Sequence, residues 1–194
     1  MAIQADVSKE DEVVKLFKFI DLNVGAINVL VNNAGTTESQ KRFVDIDADR
    51  LQKIFATNVI GSFLCAREAI KRMSTKFQGL GGSIVNLSSV AARLGGHFEY
   101  VDYAASKGAI DTMTIGLAKE VAEENIRVNA VRPGIIDTDI HAKGGDPGRI
   151  ERLQNIIPLK RAGRPEEVAN MILWLISDEA SYVTGGIFDV AGGR

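Results

Sequence analysis

Several classes of protein are excluded by what this sequence has little of. Its 194 residues include one cysteine, Cys65, so it can form no intrachain disulfide and no cysteine-based zinc cluster, and it suits a reducing, cytoplasmic setting. Four prolines, 45% hydrophobic residues and 25% charged residues exclude collagen, a disulfide scaffold and a disordered chain. Charge of neither sign prevails. The 23 Lys+Arg stand against 25 Asp+Glu for a net charge of -2, without the basic footprint of a dedicated nucleic-acid binder. No apolar run approaches the roughly 20 residues that span a bilayer, and the opening Met1 to Asp6 has neither the basic nor the apolar region of a signal peptide. The two histidines, His97 and His141, are isolated and lack ligand spacing, so no metal site is expected, although either can line a pocket from its loop. No internal repeat, low-complexity tract or interdomain linker interrupts residues 1–194, which read as a single domain.

What is present is an alternation of short β-like runs and longer helical stretches. Met1 to Ala5 reads as a short strand. Ser8 reads as the N-cap of a helix with Glu10, Asp11 and Glu12 in its first turn, where the macrodipole favours acidic groups. Val13, Leu16, Phe17 and Ile20 put one apolar stripe on that helix, which ends near Gly25. Asn28 to Val31 is a β-branched run that stops at Asn32-Asn33-Ala34-Gly35. A long helical region is predicted from about Asp47 to Phe77, with Leu51, Ile54, Phe55, Val59 and Phe63 on one face and Gly79, Gly81 and Gly82 at its end. Ile84 to Leu87 is the next strand, leading into Ser88-Ser89. A helix from about Asp102 to Glu124 carries Ile110, Met113, Leu117 and Val121 in register, and Ile126 to Val131 is a strand stopped by Pro133-Gly134. Residues 137–164 read as irregular, with one short helix near Ile150 to Ile156. A further helix starts at Pro165 and buries Val168, Met171, Ile172 and Leu175, and Ile187 to Val190 forms the last strand. Strands apolar on both faces, alternating with helices, define an α/β fold: a doubly wound, Rossmann-like parallel sheet covered by helices.

In an open parallel sheet ligands bind beyond the carboxyl ends of the strands. The segments there are Asp6-Val7, Asn32 to Gly35, Ser88-Ser89 and Pro133 to Thr138, although strand ends need turn residues in any case. The most specific feature is Tyr103-Ala104-Ala105-Ser106-Lys107. Residues i and i+4 share a helix face, and a fixed cation beside a phenol favours phenolate, pulling its pKa towards working pH. A general acid/base for alcohol–carbonyl interconversion requires that. Tyr100 has Ala104 at the equivalent position and lacks the partner. Asn58 falls on the apolar stripe, four after Ile54 and three after Phe55, where a buried amide must find partners; a satisfied core asparagine is the plain alternative. Cys65, among apolar neighbours, reads as packing. Lys71, Arg72 and Lys76 read as a solvated helix face, and Trp174 as core or subunit contact.

The Tyr103–Lys107 pair lies fourteen residues after Ser89. Together with Asn32-Asn33-Ala34-Gly35 and Pro133-Gly134, it resembles the short-chain dehydrogenase/reductase family from Asp6 to the Gly192-Gly193 tail. Ser88 to Ala118 and Arg164 to Gly193 are most similar to bacterial sugar (glucose) dehydrogenase-type members. The resemblance implies that Tyr103 exchanges a proton with the substrate oxygen, that Lys107 lowers its pKa and hydrogen-bonds the nicotinamide ribose, and that Ser89 polarises the substrate carbonyl while Ser88 is structural. Asn58 would interrupt its helix and hold a water relaying protons towards the lysine. NAD or NADP is the implied cofactor. Asp6 and Val7 would meet its adenine, Asn33 and Gly35 its adenosine and ribose, and Ile136 and Thr138 its nicotinamide carboxamide and phosphates, with Gly134 allowing close approach to the ring. Asn32 would tie neighbouring strands together. Asp139 to Arg161 would be a substrate lid. The implied substrate is a small alcohol, carbonyl compound or sugar, with no nucleic acid or membrane partner, and the implied assembly is a homo-oligomer, tetramer or dimer, built on the long helices and the last strand.

Two other readings stay open at this point. A sugar-nucleotide epimerase or dehydratase also uses Tyr-x-x-x-Lys, but such enzymes carry a larger C-terminal domain than the 87 residues after Lys107. A catalytically impaired relative acting as a binding or oligomerisation module is the other. It is kept open because the resemblance calls for a Thr-Gly-x-x-x-Gly-x-Gly pyrophosphate turn that occurs nowhere in these residues. On the motif order the chain is expected to begin at about the third strand, as a fold without its first strands and that turn.

Overall fold

The computed structural model describes residues 1–194, the side chain of Lys143 left aside. Four strands, β1 (Val29–Asn32), β2 (Gly82–Leu87), β3 (Ile126–Pro133) and β4 (Ile187–Val190), form one sheet in the order β1-β2-β3-β4, every neighbouring pair parallel. Successive side chains of a strand face opposite sides, and the two central strands bury both. Ile84 and Val128 join Val13, Phe17, Ala69 and Met73 in one core, whereas Val85 and Val131 join Val168 and Leu175 in another. The first core lies under α1 (Glu10–Asn23), α3 (Gly61–Met73) and α5 (Val101–Val121); the second lies under α8 (Pro165–Ile176). This two-sided burial is the doubly wound, Rossmann-like α/β arrangement expected from the continuous apolar runs.

Between these elements lie α2 (Ala48–Phe55), α4 (Ala91–Leu94), α6 (Ile140–Lys143) and α7 (Arg149–Leu153). Buried amides link the layers. Asn32 Nδ2 donates across the sheet to Asn86 Oδ1 at 2.9 Å, and Asn86 Nδ2 donates to Thr114 Oγ1 at 2.9 Å. Asn32 therefore ties β1 to β2 and, through Asn86, to α5. Pro165 occupies the first turn of α8, and the Glu167 carboxylate accepts the Arg164 N–H at 2.7 Å.

The structure departs from the sequence reading in several places. Residues 1–6 form no strand: no neighbouring strand takes up their backbone groups among the described residues, and Met1 is exposed. Ser8 does not cap α1. Its hydroxyl donates to Asp6 Oδ1 at 2.7 Å, its N–H to the same oxygen at 3.0 Å, and the cap position falls to Lys9. The long helix is three pieces, because a π turn at Ala56–Ile60 separates α2 from α3. An i→i+5 turn adds a residue and rotates the apolar stripe, so Phe63, beyond it, is exposed while Ile54, before it, is buried; Leu51, on the same α2 as Ile54, is exposed as well. Arg72 is not merely solvated. It stacks on Phe17 with Cζ 5.1 Å from the ring centroid and pairs with Asp21, joining α3 to α1.

Candidate active site

The carboxyl ends of β1, β2 and β3 open into a cleft of about 660 Å³, within the range of small-molecule sites. Ser89, Tyr103, Lys107, Asn33, Gly35, Gly134, Ile136 and Thr138 all line it. The order follows from local structure. β2 ends at Leu87, the Ser88 hydroxyl donates to the Lys107 carbonyl at 3.0 Å, and the Lys107 ammonium donates to the Leu87 carbonyl at 2.7 Å. These two bonds lock the strand end to the middle of α5, so that Ser89, one residue on, sits beside the cleft. The Ser89 hydroxyl also accepts the Ala91 N–H at 3.1 Å, where α4 begins.

Lys107 is buried, its ammonium 5.7 Å from the centre of the Tyr103 ring. Loss of water lowers its pKa to about 8, with Asp111 one turn along acting in the opposite direction. The tyrosine behaves differently from the sequence expectation. Burial raises the pKa of the Tyr103 phenol, and the influences that draw it back are the Ser89 hydroxyl and the positive charge of Arg149. Lys107, turned to the Leu87 carbonyl, is not among the groups that lower it here.

Asn58 lies in the π turn and is buried. Its side-chain oxygen accepts the Thr36 N–H at 2.7 Å, and its amide donates to the Thr36 carbonyl at 3.0 Å and to Ser106 Oγ at 3.0 Å. It therefore clamps the segment after β1 to α5. A β-carbon placed on Gly35 would stand 3.5 Å from both Asn58 Oδ1 and Lys107 Nζ, which shows how closely these three converge. Asp6, Val7 and Asn58 do not line the cleft. Val7 packs instead against Gly61, where a β-carbon would meet its Cγ2 at 2.8 Å. Gly134 has a packing reason of its own, because a β-carbon there would stand 2.8 Å from Ala191 Cα. The Ile136 carbonyl is engaged by His141 Nε2 at 2.8 Å.

Residues 139–161 bring Ile140, His141, Arg149 and Leu153 onto the cleft, and His97 lines it from the other side. The sequence reading did not single out Arg149, Glu99 or Arg194, which also line it. No local spacing marks them, since the fold brings them together from distant segments. Among the described residues no group of three or more His, Cys, Asp or Glu side chains is placed to hold a metal ion, and no helix is long and apolar enough to cross a membrane.

Residues 1–194 match the family described as enoyl-(acyl carrier protein) reductase. The chain is 56% identical over 192 residues to the Escherichia coli K12 protein named uncharacterized oxidoreductase YgfF, covering 99% of this chain and 78% of that one. It is 39% identical over 197 residues to a glucose and ribitol dehydrogenase homolog of Oryza sativa subsp. japonica, covering 100% of this chain and 65% of the relative. Its fold superposes on the crystal structure of a short-chain type dehydrogenase/reductase from Mycobacterium marinum with a TM-score of 0.92 and 34% identity, over 100% of this chain and 74% of that one. The chain belongs to the short-chain dehydrogenase/reductase family of oxidoreductases, and it spans 65% to 78% of the length of these relatives.

Proposed function

We propose that this chain carries the catalytic centre of an NAD(P)-dependent oxidoreductase that interconverts a secondary alcohol or sugar hydroxyl and the corresponding carbonyl. The observation that carries the reading is the meeting of Ser89, Tyr103 and Lys107 in one cleft beyond the strand ends, with Lys107 held by Leu87 and Ser89 beside the phenol. The sugar-dehydrogenase names among the relatives agree with the substrate class.

The residues present fit a nicotinamide cofactor. Gly35 leaves the end of β1 bare of a side chain beside the Lys107 amine, and the Thr138 hydroxyl and the Ile136 backbone stand on the same cleft. Lys107 would hold the ribose, Asn33 and Gly35 would pass under it, and Gly134, Ile136 and Thr138 would face the nicotinamide and phosphates. Asp6 and Val7, beside Gly61, would meet the adenine. When bound, the cofactor supplies hydride acceptance or donation. Everything else falls to the chain. Ser89 holds the substrate oxygen, Tyr103 gives or takes its proton, and Lys107, 5.7 Å from the centre of the Tyr103 ring, would supply a positive charge beside the phenolate. Asn58 acts at one remove, by fixing the segment after β1 against α5.

A homo-oligomer is part of the same proposal, because Phe63 on α3 and Ile115 on α5 stand exposed, with Ile60 exposed in the π turn before α3. Fluorescence titration with NADH and NADPH tests the cofactor assignment. At least one is expected to bind, and Lys107→Ala is expected to weaken that binding by about tenfold, the scale of one charged hydrogen bond. Binding of neither would overturn the reading.

A further inference from the structure

The cleft carries more positive charge than hydride chemistry uses. Its charged lining residues are Lys107, Arg149 and Arg194 against Glu99 alone. Lys107 is engaged by Leu87. Arg149, at the start of α7, lies over the ring of Tyr100, with Cζ 4.9 Å from the ring centroid, and its Nη2 is 2.8 Å from Glu99 Oε2. Its Nη1 is buried without a hydrogen bond, and the nearest carboxylate oxygen, Asp146 Oδ2, is 3.5 Å away. Arg152 draws on the same two acids, standing 3.5 Å from Glu99 Oε1 and bonding Asp146. Glu99 and Asp146 are thus shared between two guanidinium groups. Arg194 is left over: its backbone carbonyl accepts from Arg93, and its guanidinium has no hydrogen-bond or ion-pair partner among the described residues.

We infer that Arg149 and Arg194 form an oxyanion subsite in this cleft, so that the alcohol or carbonyl substrate also bears a carboxylate or phosphate group. Guanidinium groups pair with such oxyanions through two parallel hydrogen bonds, and a buried N–H left unpaired is destabilising until a ligand takes it. The subsite is near the chemistry. Tyr100, beneath Arg149, is the N-cap residue of α5, three residues before Tyr103. Tyr103, His141 and Arg194 line the same cleft as Arg149. An oxyanion seated there would be a few bonds from the reacting carbon, the size of a sugar acid, a hydroxy acid or a small phosphate ester.

The inference takes the reacting carbon from the oxidoreductase reading, so its test has a readout that needs no turnover. Calorimetry on the full chain compares sorbitol, gluconate and sorbitol 6-phosphate, which share a six-carbon skeleton and differ at one end. At least one anionic probe is expected to bind about tenfold or more tightly than sorbitol, weakening as salt is added. The two anionic arms separate carboxylate from phosphate. Arg149→Met and Arg194→Met are each expected to bring the ratio within about twofold of unity, with part of it regained in Arg194→Lys. Equal or undetectable binding of all three probes, or a preference that survives in Arg194→Met, overturns the inference. Where Arg149→Met does not fold, Arg194→Met decides, because its guanidinium supports no other side chain. Anion preference without oxidation or reduction of any probe in the presence of NAD or NADP keeps the subsite and removes the oxidoreductase reading. Turnover of sorbitol without anion preference does the reverse.

Discussion

At Tyr103 the phenol's proton is governed by burial on one side and by Ser89 and Arg149 on the other. The sequence offers only Lys107, four residues along, as the source of a shift. The spacing is right, but the fold buries the amine as well, brings its pKa to about 8 and turns it to the Leu87 carbonyl. Arg149 contributes from a segment far along the chain, so no local pattern announces it. The lysine's own shift has a consequence for stability. Its folded value of about 8 lies below its ordinary 10.5, so between the two the unfolded chain holds a proton that the folded chain releases. Stability contributed by this group is fully present above about 10.5, is lost as pH falls towards 8, and changes no further below. The melting temperature of the wild type should therefore rise relative to that of Lys107→Met as pH rises from 8 to 10.5; a difference independent of pH would contradict the assignment. Cys65, also buried, has its thiol pushed up to about 11. With so little thiolate present, Ellman's reagent at pH 8 should leave it unmodified in the native protein and label it after unfolding.

The element that most depends on its supports is α5, whose first turn carries Tyr103. Asp102 lies in that turn, its side chain completely buried, and its carboxylate accepts from Arg50 Nε at 2.5 Å and Nη2 at 3.3 Å. Arg50 Nη1 donates to the Ser39 carbonyl at 2.5 Å, so α2, the segment after β1 and the start of α5 are held at one point. Removing one partner leaves a buried charge uncompensated. Asp102→Asn or Arg50→Met should thus cost about 3–5 kcal/mol, while the paired replacement Arg50→Met with Asp102→Leu should recover much of it; a double-mutant cycle by denaturant unfolding measures this. The longer helices and all four strands were legible from apolar period and turn residues, and Asn58 was legible as a polar residue on an apolar stripe. The helix interruption around it was expected from the resemblance alone, because an i→i+5 bond leaves no composition signal and the Thr36 and Ser106 contacts beside it come only with the fold. Residues 1–5 illustrate the opposite error: β-like composition becomes a strand only beside a partner. Short helices such as α4 and α6 likewise owe their existence to tertiary contacts rather than to propensity.

Over the whole molecule, two cores packed on opposite faces of a parallel sheet leave the strand ends as the place where polar side chains gather without disturbing the apolar layers. Ser89, Tyr103, Lys107, Gly35 and Thr138 were readable there because each follows a strand or sits on the helix behind one. The Arg149–Glu99–Asp146–Arg152 cluster and Arg194 were not, since their meeting depends on how residues 137–164 fold back over the cleft. The central claim, that this cleft performs alcohol–carbonyl chemistry with Tyr103 moving the proton, is tested most directly by one comparison. Wild type and Tyr103→Phe are assayed for NAD(P)-dependent oxidation of a panel of secondary alcohols and sugars, with cofactor affinity measured alongside. The account predicts turnover of at least one compound by the wild type and a loss of about 10²–10⁴-fold in the variant, the usual share of general acid–base catalysis, with cofactor affinity changed by less than about threefold, since the phenylalanine keeps the ring. Turnover by Tyr103→Phe at the wild-type rate would contradict it.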